Sequence, residues 1–241
     1  TNIAITVFGL MILFYHPNAK ALLIIYVIGS SLGALLGFWM IKEYVIKIFK
    51  DFQRTLIKPI MNSAWPFAMM SLLGASMTNV DLVMLGWLKT VTEVGFYSAG
   101  QRIVLILYMI PTIFIIAAFP AISRFISQKQ TEMVKKLMEK ITIISLAIAI
   151  PLVAGGIVLA KAIITFLYGQ EYLPATNAFQ ILLIPLLMTF PGQMIGNLIF
   201  AHDQQKKIIG YVALTSINNI VFNYLLIPSL GIIGAAITTL V

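Results

Sequence analysis

Long unbroken apolar runs, separated by short links, constrain this chain more than any motif. Eight runs are read along it, at residues 1–15, 21–41, 60 to about 88, 99–122, 141–160, 178–201, 208–228 and 231–241. Six of them are long enough to cross a bilayer core, which takes about 20 helical residues. Their Ile, Leu, Val and Met content does not alternate with polar residues, which argues against barrel strands. With 60% of residues hydrophobic and 10% charged, the chain has too little polar side chain to clothe a water-soluble domain. Lipid is its solvent. The expected fold class is all-α, a polytopic membrane protein of about eight transmembrane helices with the first and last cut short. Both ends fall within apolar runs, with no initiator Met and no basic signal-peptide head, so a fragment lacking an N-terminal half is expected.

The links sort by charge. Lys42, Lys47, Lys50, Arg54 and Lys58 lie in the link before the third run. Arg124, Lys129, Lys135, Lys136 and Lys140 follow the fourth, and Lys206 and Lys207 follow the sixth. If every run crosses, these links share one side and hold 12 of the 16 Lys and Arg. Only Lys20, Lys89, Arg102 and Lys161 are at or near the other. Short cytoplasmic loops are rich in Lys and Arg, so links 42–58, 123–140 and 202–207 are expected in the cytoplasm. The net charge of +8 then reflects topology, and no nucleic-acid partner is expected.

Val45, Ile48, Phe49, Phe52 and Leu56 fall at helical spacing between charged residues. An amphipathic helix in the cytoplasmic interface is expected there, equally readable as a connector between two helix bundles. Glu132 with Lys136, and Lys135 with Glu139, are four apart, as on a solvated helix end. Gly29, Gly33 and Gly37 are each four apart, which lets another helix backbone come close. Pro66, Pro111, Pro185 and Pro191 lie mid-span. Each frees a carbonyl, which marks either static kinks or broken, moving helices.

Polar groups inside the runs are the candidate site residues. Asp81 lies toward the outer end of the third run, where an ionised carboxylate is costly unless paired or cation-bound. Arg102 lies at a similar depth. The two either pair across the hairpin, or act separately as a cation or proton site (Asp81) and a phosphate contact (Arg102). Asn219 and Asn223 share a helix face, with Asn218 beside them, and Thr238 and Thr239 follow in the last run. With Asp81 they either coordinate a hard cation such as Na⁺ or only hold helices together. Gln193 and Asn197, one turn beyond Pro191, line a cavity or hold a neighbour.

Other chemistries lack their residues. There is no cysteine, His16 and His202 are isolated in links, and neither a phosphate-cradling glycine loop nor a nucleophile–base pair is present. No metal site, catalytic residue or cofactor is expected. The longest outward link, 161–177, has only Glu171 as an acid, thin material for a glycosyltransferase or ligase.

Several stretches together resemble the lipid-linked oligosaccharide and polysaccharide flippases of the multidrug/oligosaccharidyl-lipid/polysaccharide exporter superfamily. They run from Trp65 and Pro66 through Asp81, Leu85, Gly86, Val94, Gly95, Tyr97 and Ala99 to Arg102. Pro120 to Ser123 follows, then Leu167, Tyr168 and Gly169 with Tyr172, Pro174, Ala175, Ile181 and Leu182. Asn223 to Pro228 and Gly231 to Ala236 complete the set. The order and spacing extend over about 180 residues. The resemblance implies a transporter, not an enzyme. It implies two six-helix lobes with alternating access in the plasma (inner) membrane. Residues 1–41 would be the last two helices of the N-terminal lobe, 42–58 the cytoplasmic linker, and 59–241 the C-terminal lobe with its last helix truncated. The implied cargo is a prenyl-phosphate-linked oligosaccharide for cell-surface polysaccharide, driven by a Na⁺ or H⁺ gradient. Asp81, Asn219, Asn223 and Thr238 would couple the cation; Arg102, Gln193 and Asn197 would meet the substrate. The alternative is a multidrug/cation antiporter of the same superfamily. The chain alone is not expected to transport.

Overall fold

The computed structural model describes residues 19–50, 53–201 and 204–240. The first apolar run, both histidines, Asp51, Phe52 and Val241 lie outside them, as do the side chains of Val45, Ile48 and Phe49. The described residues form nine α-helices and two short 3₁₀ turns, with no strand among them. They fall into two units, residues 1–61 and 62–241, each described by itself.

In the first unit, α1 (Ala19–Lys50) continues well past Ile41. Residues 42–50 contain no glycine or proline to stop it. Residues 42–50 of the linker expected over 42–58 are helical and belong to α1. A 3₁₀ turn (Arg54–Leu56) leads into α2 (Ile57–Leu88). Of the glycine stripe, Gly37 has nothing among the described residues within 4 Å of an added Cβ.

The second unit holds most of α2, then α3 (Val91–Leu107), α4 (Met109–Ser127), α5 (Thr131–Tyr168), α6 (Ala175–Leu183), α7 (Leu186–Ala201), α8 (Gln205–Leu230) and α9 (Ile232–Thr238). Thr90 caps α3: its hydroxyl accepts from the Glu93 N–H while the Glu93 carboxylate accepts from the Thr90 N–H. That capping box starts α3 eight residues before the expected 99. The expected span 99–122 is two helices, α3 and α4, parted at Tyr108. Pro111 sits in the first turn of α4 and has no N–H for the Leu107 carbonyl. Pro185 likewise parts α6 from α7 with a bend of 43°. There the Ile181 carbonyl accepts from Ile184 instead. Pro66 and Pro191, by contrast, lie inside α2 and α7.

Among the described residues, five stretches are long and apolar enough to span a membrane, and the bent α6–α7 pair makes a sixth. The chain is a polytopic α-helical membrane protein. At one end of the second unit three of its links meet. The Lys89 ammonium donates to the Pro228 carbonyl at 3.1 Å, and Phe96 meets Tyr172 edge to face at 5.5 Å. The basic residues Arg124, Lys129, Lys206 and Lys207 belong to the opposite ends of these helices.

Two apolar cores fill the unit. Leu85, Tyr97, Val153, Ile164, Phe179 and Leu183 belong to the larger one, built from α2, α3, α5, α6 and their neighbours. Ile115, Ile122, Ile141 and Met194 form a smaller one where α4, α7 and the first half of α5 meet. The turn between α8 and α9 rests on two glycines. Gly231 has φ +58°, which suits glycine. A Cβ on Gly234 would lie 2.5 Å from the Leu226 carbonyl oxygen, so only glycine lets α9 pack this closely on α8.

Candidate functional site

Four helices converge on one carboxylate. Near the end of α2, Asp81 is only 2% exposed. On α8, Asn219 and Asn223 are four apart and point the same way, and the tight α8–α9 turn folds Thr238 and Thr239 back beside them. From α3 comes Tyr97, fully buried.

Asp81 Oδ1 accepts from Asn223 Nδ2 at 2.6 Å. Its Oδ2 accepts from the Tyr97 hydroxyl at 2.8 Å and the Thr239 hydroxyl at 3.3 Å. Behind this shell, Thr238 donates to Asn223 Oδ1 at 2.7 Å. Asn223 Nδ2 also reaches Asn219 Oδ1 at 3.2 Å, and Asn219 Nδ2 donates to the Thr238 carbonyl at 3.3 Å. Every one of these partners is neutral. Hydrogen bonds to a charged group contribute about 1.5–3 kcal/mol each, against a cost of several kcal/mol for burying an ion. The donor set offsets part of that cost without a counter-charge. Carboxylate, amide and hydroxyl oxygens so grouped are the ligand types that suit a hard cation or a proton. No group of three or more His, Cys, Asp or Glu able to hold a metal ion occurs among the described residues.

A cavity of about 450 Å³ opens beside Asp81, between α2, α3, α6, α7, α8 and α9. Asn219, Thr238 and Thr239 share its wall with Gln101, Tyr108 and Gln193. Asp81, Asn219, Asn223 and Thr238 are thus brought together, and Gln193 lines the adjoining cavity. Asn197 does not line it; its amide donates to the Gln193 carbonyl at 2.8 Å, one turn back on α7.

Arg102 does not pair with Asp81. It is exposed, and it is not part of the cavity wall. The reason is helical phase: Tyr97, Gln101, Val104 and Tyr108, spaced 4, 3 and 4, make the inward stripe of α3. Arg102 is five residues from Tyr97, about 140° around the helix. Sequence reasoning missed Tyr97, Gln101 and Tyr108 as site residues. That 4–3–4 spacing of polar and aromatic groups was the available signal.

Residues 1–177 match the family model of polysaccharide biosynthesis proteins. Among curated relatives, the probable low-salt glycan biosynthesis flippase Agl15 of Haloferax volcanii is 24% identical over 160 residues, covering 66% of this chain and 34% of that protein. The probable flippase AglR of the same organism is 27% identical over 166 residues, covering 67% and 34%. The capsular polysaccharide biosynthesis protein CapF of Staphylococcus aureus is 23% identical over 237 residues, covering 98% of this chain and 60% of that protein. The chain thus spans about a third of the first two relatives and three fifths of the third. No solved structure matches it significantly. A bundle of apolar spans around a buried polar centre accords with that match, and the chain belongs to the polysaccharide biosynthesis protein family.

Proposed function

We propose that the chain forms the second lobe of a flippase that moves a prenyl-phosphate-linked oligosaccharide across the plasma membrane for cell-surface polysaccharide assembly. It moves cargo by alternating access and makes or breaks no covalent bond. The basic links 42–58, 123–140 and 202–207 face the cytoplasm in this reading. Support comes from the family, from the flippase names of two relatives, and from one observation above all: a buried carboxylate held by neutral groups at a four-helix junction.

Asp81 is the coupling residue. Loading it with Na⁺ or H⁺ changes the charge at the junction of α2, α3, α8 and α9, and with it the balance of hydrogen bonds that hold them together. Asn219, Asn223 and Thr238 supply the remaining oxygens. Gln193 meets the cargo within the cavity, Asn197 steadies it through the α7 backbone, and Arg102 meets phosphate from the exposed face of α3.

A specific observation favours a second reading. Among the described residues, the cavity wall has one carboxylate and two tyrosines and no basic residue. A carboxylate-bearing, aromatic cavity would suit a multidrug/cation antiporter in which Asp81 is released from its hydrogen-bond partners. The full-length parent protein in vesicles separates the two. Appearance of a prenyl-pyrophosphate oligosaccharide on the far leaflet is followed with and without a Na⁺ or H⁺ gradient, for wild type and Asp81→Asn. Gradient-dependent flipping that the substitution abolishes is the expected result. Unchanged flipping in the variant would reduce Asp81 to a packing residue. Efflux of cationic drugs without flipping would establish the antiporter.

A further inference from the structure

We propose that the cavity beside Asp81 is a binding subsite for an uncharged glycosyl unit, and so takes the sugar of the cargo rather than its phosphate. This rests on the flippase reading and names which part of the cargo enters.

A phosphate site is built from Arg, Lys or backbone N–H groups, and among the described residues no basic side chain lines this cavity. An organic cation needs an accessible carboxylate. Asp81 is 2% exposed, and both its oxygens are already engaged by Asn223, Tyr97 and Thr239. The polar groups left for a ligand are therefore neutral.

They are also of mixed hydrogen-bonding character. Gln101 spends its Nε2 on the Thr78 carbonyl at 2.8 Å, which leaves its Oε1 as an acceptor. Thr112 stands within reach of both the Tyr108 carbonyl (2.9 Å) and Gln193 Oε1 (3.1 Å). Its hydroxyl has one proton for the two. Whichever way the Gln193 amide is turned, one of its ends remains for a ligand. The Tyr108 hydroxyl adds a group that donates and accepts. Sugar hydroxyls do both, so this set matches them, while Leu105, Leu182 and Pro185 offer an apolar wall for a C–H face of the ring. The volume is in the range of sites that enclose small ligands, which fits a terminal unit and not a whole oligosaccharide.

The test uses the full-length parent made free of cysteine, a property the 241 residues here already have. A single reporter, Thr215→Cys on the cavity wall, is labelled with a maleimide. Three probes compete: the oligosaccharide released from the host's own lipid-linked glycan, inorganic phosphate, and tetraphenylphosphonium. Only the oligosaccharide is expected to slow labelling. Adding Gln101→Leu and Gln193→Leu should raise the concentration needed by roughly ten- to a hundredfold, at about three- to tenfold per lost hydrogen bond. Protection by phosphate or tetraphenylphosphonium, no protection by the oligosaccharide, or protection unaltered in the double variant would each overturn the proposal. If the double variant fails to fold, as judged by its melting curve in detergent, the three-probe comparison on the reporter alone decides. Labelling is read without transport. Protection without flipping would uphold the subsite and sink the flippase reading, and flipping without protection would do the reverse.

Discussion

Tyrosine and phenylalanine differ by one hydroxyl, and at Tyr97 that hydroxyl donates to Asp81 from a ring with no exposed surface. Tyr97→Phe keeps the ring packing and removes the bond. It is expected to cost about 1.5–3 kcal/mol, measured as a lowered melting temperature in detergent. Asn223→Ala should cost more than Tyr97→Phe. It removes partners from Asp81, Thr238 and Asn219 at once, leaving buried polar atoms unsatisfied. A milder effect for Asn223→Ala in the same assay would mean that the network is slack. Asp81, Asn219, Asn223 and Thr238 were legible in sequence, because polar residues stand out in apolar runs. Their convergence was not, because nothing local states that α2 meets α8 and α9. The pairing of Arg102 with Asp81 failed for a related reason: opposite charge at similar depth says nothing about helical phase.

Proline and glycine act at the scale of the element. Proline positions were legible as kinks, but their consequences differ by place. Pro111 and Pro185 fall where helices part, while Pro66 and Pro191 stay inside helices, as do Pro120, Pro151 and Pro228, which the sequence reading did not count as mid-span kinks. Pro185→Ala restores an N–H able to reach Ile181. It is expected to straighten α6 into α7, raise the melting temperature and slow transport; faster transport would show that the break is incidental. Gly234→Ala places a methyl against the Leu226 carbonyl and should cost about 1–3 kcal/mol or more, read in the same melt. The α8–α9 turn was legible from its Gly231 and Pro228. The close approach that makes Gly234 irreplaceable was not, because it depends on tertiary packing.

For the molecule as a whole, alternation of basic and basic-poor links was the strongest sequence signal. In the second unit, the meeting of Lys89 with Pro228 and of Phe96 with Tyr172 places three basic-poor links at one end. Single cysteines at Lys129 and Gln170, both exposed, test which end is which. The proposed orientation predicts that Gln170→Cys is labelled by an impermeant maleimide in intact cells. Lys129→Cys should react only after permeabilisation, and the reverse pattern would invert the topology. The helical spacing over the linker left its boundary with the preceding span unstated, and a run without glycine or proline continues α1 to Lys50.

The break at Pro185 also has a mechanical side. Beyond it, α7 is an arm of 16 residues, roughly 24 Å long at 1.5 Å per residue. A pivot of about 10° at its fixed end sweeps the free tip through some ~4 Å by simple trigonometry on that length. α4 lies against it: Met194 of α7 packs in one core with Ile115 and Ile122 of α4. Because Met194 shares that core, any pivot at Pro185 would have to carry α4 along with α7 or open the core between them.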